Sequence, residues 1–168
     1  MEHSPQIIPI ENVPMIDGGD DLGKIIHQAI TEQGLKLIDD DIVCVAQKIV
    51  SKSENRMVAL TDVSPSKEAN LLAEETEKDP RLVQLILDES DEILRKKPGV
   101  LIVRHRLGIV GANAGIDQSN IDHQGGEQAL LLPKDPDASA RQLRKDLEKK
   151  RVEFFTNKSV SLQLSAPP

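Results

Sequence analysis

The distribution of aromatic residues is the feature that most restricts how this chain can pack. The sequence contains no Trp and no Tyr, and its only two Phe residues are adjacent, Phe154 and Phe155. Residues 1–153 therefore contain no aromatic side chain, and a core formed there must be built from Ile, Val, Leu and Ala. The 168 residues correspond to about one domain, which is long enough to bury a sizeable core.

Charge and composition exclude several classes of protein. The chain has 21 Lys and Arg against 28 Asp and Glu, a net charge of -7, which argues against a nucleic-acid partner. Its single cysteine, Cys44, excludes a disulfide framework or a multi-cysteine metal site. No apolar run approaches the roughly 18 residues of a membrane span, and the first residues lack the pattern of a signal peptide. We therefore predict a soluble, cytoplasmic protein without a membrane or nucleic-acid partner.

Hydrophobic spacing predicts a mixture of helices and strands. Apolar residues recur every three or four positions over 22–30, which predicts a helix capped by Asp20 or Asp21 and ended by Gly34. The continuous, largely β-branched run 42–46 predicts a strand buried on both faces, in which Cys44 is an inert hydrophobe.

The remaining elements are predicted from shorter patterns. Further strands are predicted at 6–10, 56–60, 100–103 and 107–110, the last two as a hairpin, and helices after Pro65, Pro80 and Pro136. Residues 111–135 are predicted to be an irregular loop, and 152–168 show no helix or strand periodicity. Because helices and strands do not alternate strictly, we predict an α+β fold, with a mixed sheet and flanking helices.

The segment 47–52 carries two lysines directly after the predicted strand 42–46. Ligands of open α/β sheets bind beyond the carboxyl ends of strands, where Lys48 and Lys52 could clamp a phosphate as point charges. The alternative is that both lysines are solvated residues on one side of a helix. Spacing alone leaves both interpretations open.

The segment 111–120 combines small residues with oxygen-bearing side chains. Its glycines permit sharp turns and a close approach to a ligand, and Asp117 lies among carboxamides and a hydroxyl. Oxygen ligands of this kind suit Mg²⁺ or Mn²⁺, although an Asx-rich turn that satisfies its own backbone would look the same. The four histidines, in contrast, share no metal-ligand spacing and are predicted to be solvated.

Six phrases in the same order resemble the coenzyme F420-0:L-glutamate ligase family, also called γ-glutamyl ligases. These phrases are Gly19–Leu22, Val45–Lys52, Lys78–Val83, Pro98–Ile102, Asn113–Asn120 and Leu131–Ala140. The resemblance implies a homodimeric γ-glutamyl ligase fold and the GTP-dependent ligation of L-glutamate to F420-0. In that reaction an acyl phosphate intermediate leads to a γ-glutamyl amide bond, with Mg²⁺ or Mn²⁺ as cofactor and GTP as co-substrate.

The resemblance also implies which residues bind. Val13, Pro14, Met15 and Ile16 match a segment that lines GTP. Gln47, Lys48 and Lys52 match a nucleotide-contacting strand end, Asn120 matches a GTP contact, and Asp117 matches a divalent-metal ligand.

The chain departs from the family pattern after residue 151. The family continues into an Asp-Thr/Ser-Phe-Gly-Arg-Pro-Trp-Arg type of motif with further metal ligands, and Arg151–Asn157 stands in its place. The sequence therefore predicts that residues 1–151 are the amino-terminal part of a ligase domain, followed by a divergent tail, 152–168, produced by a frameshift, a gene-model error or gene decay. Under the alternative prediction, the chain is a non-catalytic nucleotide-binding or subunit-assembly module.

Overall fold

The computed structural model describes residues 5–118, 127–151 and 159–163, and these ranges form an α+β fold as predicted. The helices are α1 (Leu22–Glu32), α2 (Gln47–Ser53), α3 (Lys67–Thr76), α4 (Pro80–Asp88) and α5 (Pro136–Arg151). The strands are β1 (Ile42–Ala46), β2 (Met57–Ala59), β3 (Ser90–Lys97), β4 (Val100–His105), β5 (Val110–Ala112), β6 (Gln128–Leu130) and β7 (Ser159–Gln163). Two short 3-10 turns, Leu60–Asp62 and Asn113–Gly115, follow β2 and β5.

The predicted first helix is confirmed, together with one of its two candidate caps. The Asp21 carboxylate accepts a hydrogen bond from the backbone N–H of Lys24 at 2.8 Å and so satisfies a donor of the first turn. Gly34 follows the helix with a positive φ of 70°, a conformation that ends a helix without steric cost. The buried face of α1 is aliphatic throughout.

The strands form three small sheets rather than one continuous sheet. β1 pairs with β7 in parallel, β2 pairs with β6 in antiparallel, and β3, β4 and β5 form an antiparallel meander in that order. The predicted hairpin is confirmed as β4 and β5, but its return strand lies at 110–112 instead of 107–110, because residues 106–109 make the turn, in which the N–H of Gly108 donates to the carbonyl of His105 at 2.7 Å. β3 pairs with the other edge of β4.

Buried aliphatic side chains gather into two clusters. The large cluster consists of Leu60, Ala69, Leu72, Ala73, Leu82, Val83, Leu85, Ile86, Leu101, Val103, Ala114, Ile116, Ala129 and Leu131. The small cluster consists of Ile16, Leu22, Ile26, Ile30, Val45, Val50, Leu143 and Leu147. Both clusters have the aromatic-free composition that the sequence predicts.

Two predictions about strands are wrong. Residues 6–10 form no strand, since Pro5 and Pro9 remove backbone donors and Ile7 is 98% exposed and packs on nothing. The strand 42–46 exists but is not buried on both faces, because only Val45 is fully buried, whereas Ile42 is 65% exposed and Cys44 is also exposed.

Three further strands, β3, β6 and β7, have no prediction to match them. The prediction of an irregular loop over 111–135 is wrong for β6, which pairs with β2, and for Gly111 and Ala112 of β5, which pair with β4. β3 carries charge at five of its eight positions, and pairing with β4 makes it a strand despite this polar sequence. β7 lies in the predicted tail and pairs along the whole of β1, from Ile42 with Ser159 to Ala46 with Gln163. The rest of that tail, 152–158 and 164–168, lies outside the described residues.

Among the helices that the structure describes, none has the length and apolar character needed to cross a bilayer.

Candidate functional site

The first part of the candidate site is the junction between β1 and α2. The helix begins at Gln47, immediately after β1 ends at Ala46, so the lysine-bearing segment follows a strand end as predicted. Lys48 and Lys52 are four residues apart on α2 and therefore lie on the same side of the helix. The Gln47 side chain donates to the Ser51 hydroxyl within the helix, at 2.5 Å.

The second part is the turn that follows β5. Asn113, Ala114 and Gly115 have positive φ angles of 52°, 54° and 68° in succession. This conformation is strained for alanine, and the burial of Ala114 in the large cluster holds it in place. A Cβ atom at Gly115 would lie 3.0 Å from Cδ1 of Leu132, a tight contact, and the positive φ of 68° already favours glycine there. The turn redirects the chain from β5 towards Asp117.

Asp117 is held by backbone pairing and by a charged partner. Its backbone N–H and C=O pair with those of Leu130, at 3.0 and 2.8 Å. Its carboxylate Oδ2 lies 2.5 Å from the Nζ atom of Lys48, with the two side chains 21% and 39% exposed. The structure thus brings together the lysine-bearing segment and the oxygen-rich segment, which lie about 70 residues apart in the sequence.

The segment 13–16 lies against the small cluster. Ile16 is buried there and Val13 is half-buried, whereas Pro14 and Met15 are exposed, Met15 to 77%. The backbone N–H of Gly19 donates to the carbonyl of Ser53 at 2.9 Å, and the side chain of Asn55 leaves no space for a Cβ atom at Gly18. These contacts fix the chain after residue 16 to the carboxyl end of α2.

The other predicted binding residues are placed in part. Lys52 is half-buried one turn beyond Lys48 on α2. Asn120 lies outside the described residues. Within the described residues, the Oδ1 atom of Asn113 is buried and accepts no hydrogen bond.

The chemistry of Asp117 fits a divalent cation. A half-buried carboxylate is the kind of ligand that Mg²⁺ and Mn²⁺ use when substrate phosphates supply other oxygen atoms. The ranges 5–118, 127–151 and 159–163 bring no three His, Cys, Asp or Glu side chains together in a metal-binding arrangement. Among the described residues, Asp117 could therefore supply one carboxylate to a divalent cation, and the other ligands would have to come from outside this set.

A buried group of charged side chains, which was not predicted from the sequence, is connected to this site through Arg56, whose carbonyl accepts from the N–H of Leu131 beside the partner of Asp117. Arg56, Glu89 and His105 are 9%, 6% and 1% exposed, and Arg106 reaches into the group from the surface. The Glu89 Oε2 atom lies 2.8 Å from Arg56 Nη2, 3.0 Å from Arg106 Nη2 and 3.3 Å from His105 Nε2. The prediction that all four histidines are solvated is therefore wrong for His105. Leu101, Val103 and His105 alternate as buried residues along β4, and a period of two extended to residue 105 could have indicated this.

Hydrogen bonding determines the neutral form of His105. The backbone N–H of Leu107 donates to Nδ1 at 2.9 Å, so the proton is on Nε2, which faces Glu89. Burial lowers the pKa of His105 below its ordinary value, and Glu89 offsets part of this effect. A second proton on Nδ1 would break the hydrogen bond from Leu107.

We expect acid to destabilise the fold through His105. Below the ordinary histidine pKa of about 6.5, His105 binds a proton in the unfolded chain but not in the folded chain. The free energy of unfolding therefore decreases as the pH is lowered. The slope for one group is at most about 1.4 kcal/mol per pH unit, and this contribution is fully present above pH of about 6.5. Urea denaturation between about pH 5.5 and 7.5 measures it.

The control for this prediction is the second histidine that the structure describes, His27, which lies on α1. His105→Gln should flatten the pH dependence over this range, whereas His27→Gln, on α1, should retain it. An unchanged slope in His105→Gln would show that another group is responsible.

Comparison with known proteins identifies the family. The family described as F420-0:Gamma-glutamyl ligase matches residues 11–155. A coenzyme F420:L-glutamate ligase of Methanothermobacter thermautotrophicus is 43% identical over 142 residues, which cover 84% of this chain and 55% of the relative. Ligases of the same name from Methanopyrus kandleri and Methanocaldococcus jannaschii are 40% and 39% identical, covering 82% and 92% of this chain and 53% and 60% of the relatives.

These matches agree on one class of protein, a ligase. The chain belongs to the F420-0:gamma-glutamyl ligase family, and the family resemblance found in the sequence is confirmed. The chain spans about half the length of these curated relatives.

Proposed function

We propose that this chain binds the phosphates of GTP and a divalent cation for the ligation of L-glutamate to F420-0. The observation that carries this proposal is the contact between Lys48 and Asp117. In a chain of this family, it joins a lysine in the first turn of α2 to an aspartate that follows a tight, glycine-containing turn.

The reaction determines what such a site must do. A carboxylate and an amine do not condense in water without activation, so the γ-phosphoryl group of GTP passes to a carboxylate of F420-0 and GDP leaves. The amine of glutamate then attacks the acyl carbon, the C–O bond to the phosphate breaks so that inorganic phosphate leaves with its electron pair, and the amine nitrogen loses a proton as the amide forms. Phosphoryl transfer of this kind depends on positioning and on the neutralisation of charge.

The described residues supply these two requirements on one side of the fold. Lys48 neutralises the Asp117 carboxylate in the structure, and a phosphate oxygen offers the same ammonium a second anionic partner. Lys52, one turn further along α2, extends the cationic side towards the carboxyl end of the helix. In a protein with a net charge of -7, local cations of this kind are needed to bind an anionic nucleotide.

Asp117 is the residue that would hold Mg²⁺ or Mn²⁺. When bound, the cation would neutralise phosphate charge that lysines alone leave uncompensated. The backbone pairing of Asp117 with Leu130 fixes the residue at its Cα atom, so only the side-chain torsions must adjust to a ligand.

The remaining partners belong to the same proposal. Val13, Pro14, Met15, Ile16 and Gln47 would line GTP beside the lysines, and Asn120 would contact it. The homodimer and the binding of L-glutamate and F420-0 follow from the family and stay predictions.

The test of this proposal is the metal dependence of GTP binding. We expect the chain to bind a fluorescent GTP analogue more tightly with Mn²⁺ than with a chelator. Asp117→Asn removes the charge and should weaken Mn²⁺-dependent binding at least tenfold, or about 1.4 kcal/mol. The matched control is Asp91→Asn, which changes an exposed aspartate on β3 and should bind as the original chain does.

Two further outcomes decide between the proposal and its alternative. Full metal dependence in Asp117→Asn would contradict the assignment of Asp117. Incubation of the chain with F420-0, GTP, glutamate and Mn²⁺ tests catalysis itself, and a product heavier by one glutamyl group would support the ligase reaction. GTP binding without that product would instead support a nucleotide-binding module.

A further inference from the structure

We propose that Arg56 is a positioning residue that fixes Asp117 opposite Lys48, an inference that rests on the proposed function. Arg56 lies between α2, which carries Lys48, and the chain segment that pairs with Asp117.

The backbone of Arg56 connects the two parts of the site. Its N–H donates to the carbonyl of Ser51 in α2 at 2.9 Å, and its carbonyl accepts from the N–H of Leu131 at 3.1 Å. Leu130, the residue before Leu131, holds both backbone groups of Asp117. A short path of backbone hydrogen bonds therefore runs from α2 through Arg56 to Asp117.

The side chain of Arg56 strengthens the same path. Its Nε–H donates to the carbonyl of Leu132 at 2.7 Å, so the guanidinium holds the segment directly after the residue that pairs with Asp117. Leu132 also packs where a side chain at Gly115 would lie. The position of Leu132 therefore affects Asp117 in two ways. Leu132 lies two residues after Leu130, the backbone partner of Asp117, and it packs against Gly115 in the turn that precedes Asp117.

Glu89 fixes the orientation of the guanidinium. The Nη2 atom of Arg56 donates to Glu89 at 2.8 Å while Nε donates to Leu132. Glu89 is itself fixed, since its carbonyl accepts from the N–H of Arg106 at 3.0 Å and its carboxylate faces both Arg106 and His105.

Only arginine provides both contacts at once. Two donors on a planar guanidinium point in fixed, different directions, whereas the single ammonium of lysine cannot replace both. Burial of this cation is costly, and a buried pair of this kind is weak evidence for a stabilising purpose. The guanidinium of Arg56, however, donates to the chain segment that follows the backbone partner of Asp117.

The experiment compares Arg56→Lys with a variant that is destabilised elsewhere. Arg56→Lys keeps the charge and loses the donor to Leu132. Leu147→Ala creates a cavity in the small cluster and removes no hydrogen bond of this path. Both proteins are measured at a temperature and in a buffer where circular dichroism shows them fully folded.

Two readouts separate positioning from a purely structural role. In Arg56→Lys, the backbone amides of Asp117 and Leu130 should exchange with deuterium about tenfold faster than in Leu147→Ala. The affinity for Mn²⁺, followed by electron paramagnetic resonance of the free ion, should fall about tenfold in Arg56→Lys and stay unchanged in Leu147→Ala.

Glu89→Gln provides a second variant if Arg56→Lys folds poorly. It keeps the shape of the carboxyl group and weakens its hold on Arg56, so both readouts should move in the same direction by a smaller factor. Equal amide exchange in Arg56→Lys and Leu147→Ala would overturn the proposal. Failure of the original chain to bind Mn²⁺ would contradict the proposed function instead, and the amide exchange would still test the positioning role of Arg56.

Discussion

Glu89→Ala is expected to lower the free energy of unfolding by about 3–5 kcal/mol. Glu89 is 6% exposed and is the carboxylate that faces Arg56, Arg106 and His105. Its removal leaves the guanidinium of Arg56 buried without an anionic partner in this group, which costs the desolvation of a full charge. Chemical denaturation of the full chain, with the midpoint and slope fitted separately, measures the change.

The matched control is another Glu–Arg pair of this chain that lies in solvent. Glu92 and Arg104 pair across β3 and β4 with side chains 51% and 48% exposed. Glu92→Ala should therefore change the free energy of unfolding by no more than about 1 kcal/mol. Equal losses of the free energy of unfolding in Glu89→Ala and Glu92→Ala would show that a buried Arg56 without its carboxylate partner does not destabilise the fold.

Leu101→Ala is expected to cost about 2–5 kcal/mol of stability. Leu101 is completely buried at the start of β4, where it packs in the large cluster. Because this cluster contains only aliphatic side chains, no aromatic ring is present to move into the cavity. The free energy of unfolding in urea gives the size of the effect.

Leu71→Ala is the control for this substitution. Leu71 lies on α3 and is 63% exposed, so its truncation should change stability by no more than about 0.5 kcal/mol. A loss in Leu101→Ala as small as that in Leu71→Ala would mean that the large cluster collapses around the missing side chain.

Local patterns predicted the helices well because their information is contained within a few turns. The apolar face of α1 and the capping carboxylate of Asp21 lie within eleven residues of each other. The proline that begins α4 and the N-cap residue Asp79, which accepts from the N–H of Arg81 at 2.8 Å, are similarly local. None of these signals depends on where the rest of the chain packs.

The strands were harder to predict because their partners decide them. β3 has a charged sequence and becomes a strand by pairing with β4, and β7 pairs with a strand more than a hundred residues earlier in the chain. The exposure of Ile42 and Cys44 on β1 could not be predicted for the same reason, because an apolar run predicts burial whatever packs against it.

The candidate site could be predicted in part. The segments around Lys48 and Asp117 were singled out by residue type and by family resemblance, and the structure places these two side chains in contact. Arg56 and Glu89 could not be predicted, because single charged residues typically lie at the surface. Their burial results from hydrogen bonds between residues 33 and 76 positions apart.

The division of the core into two clusters has a consequence for how binding is transmitted. Val50, two residues after Lys48, belongs to the small cluster, and Ile116, directly before Asp117, belongs to the large one. The ion pair therefore joins two residues whose neighbours in the sequence pack in different clusters. A nucleotide and cation that engage both side chains would hold the two clusters together and so raise the temperature at which the chain unfolds.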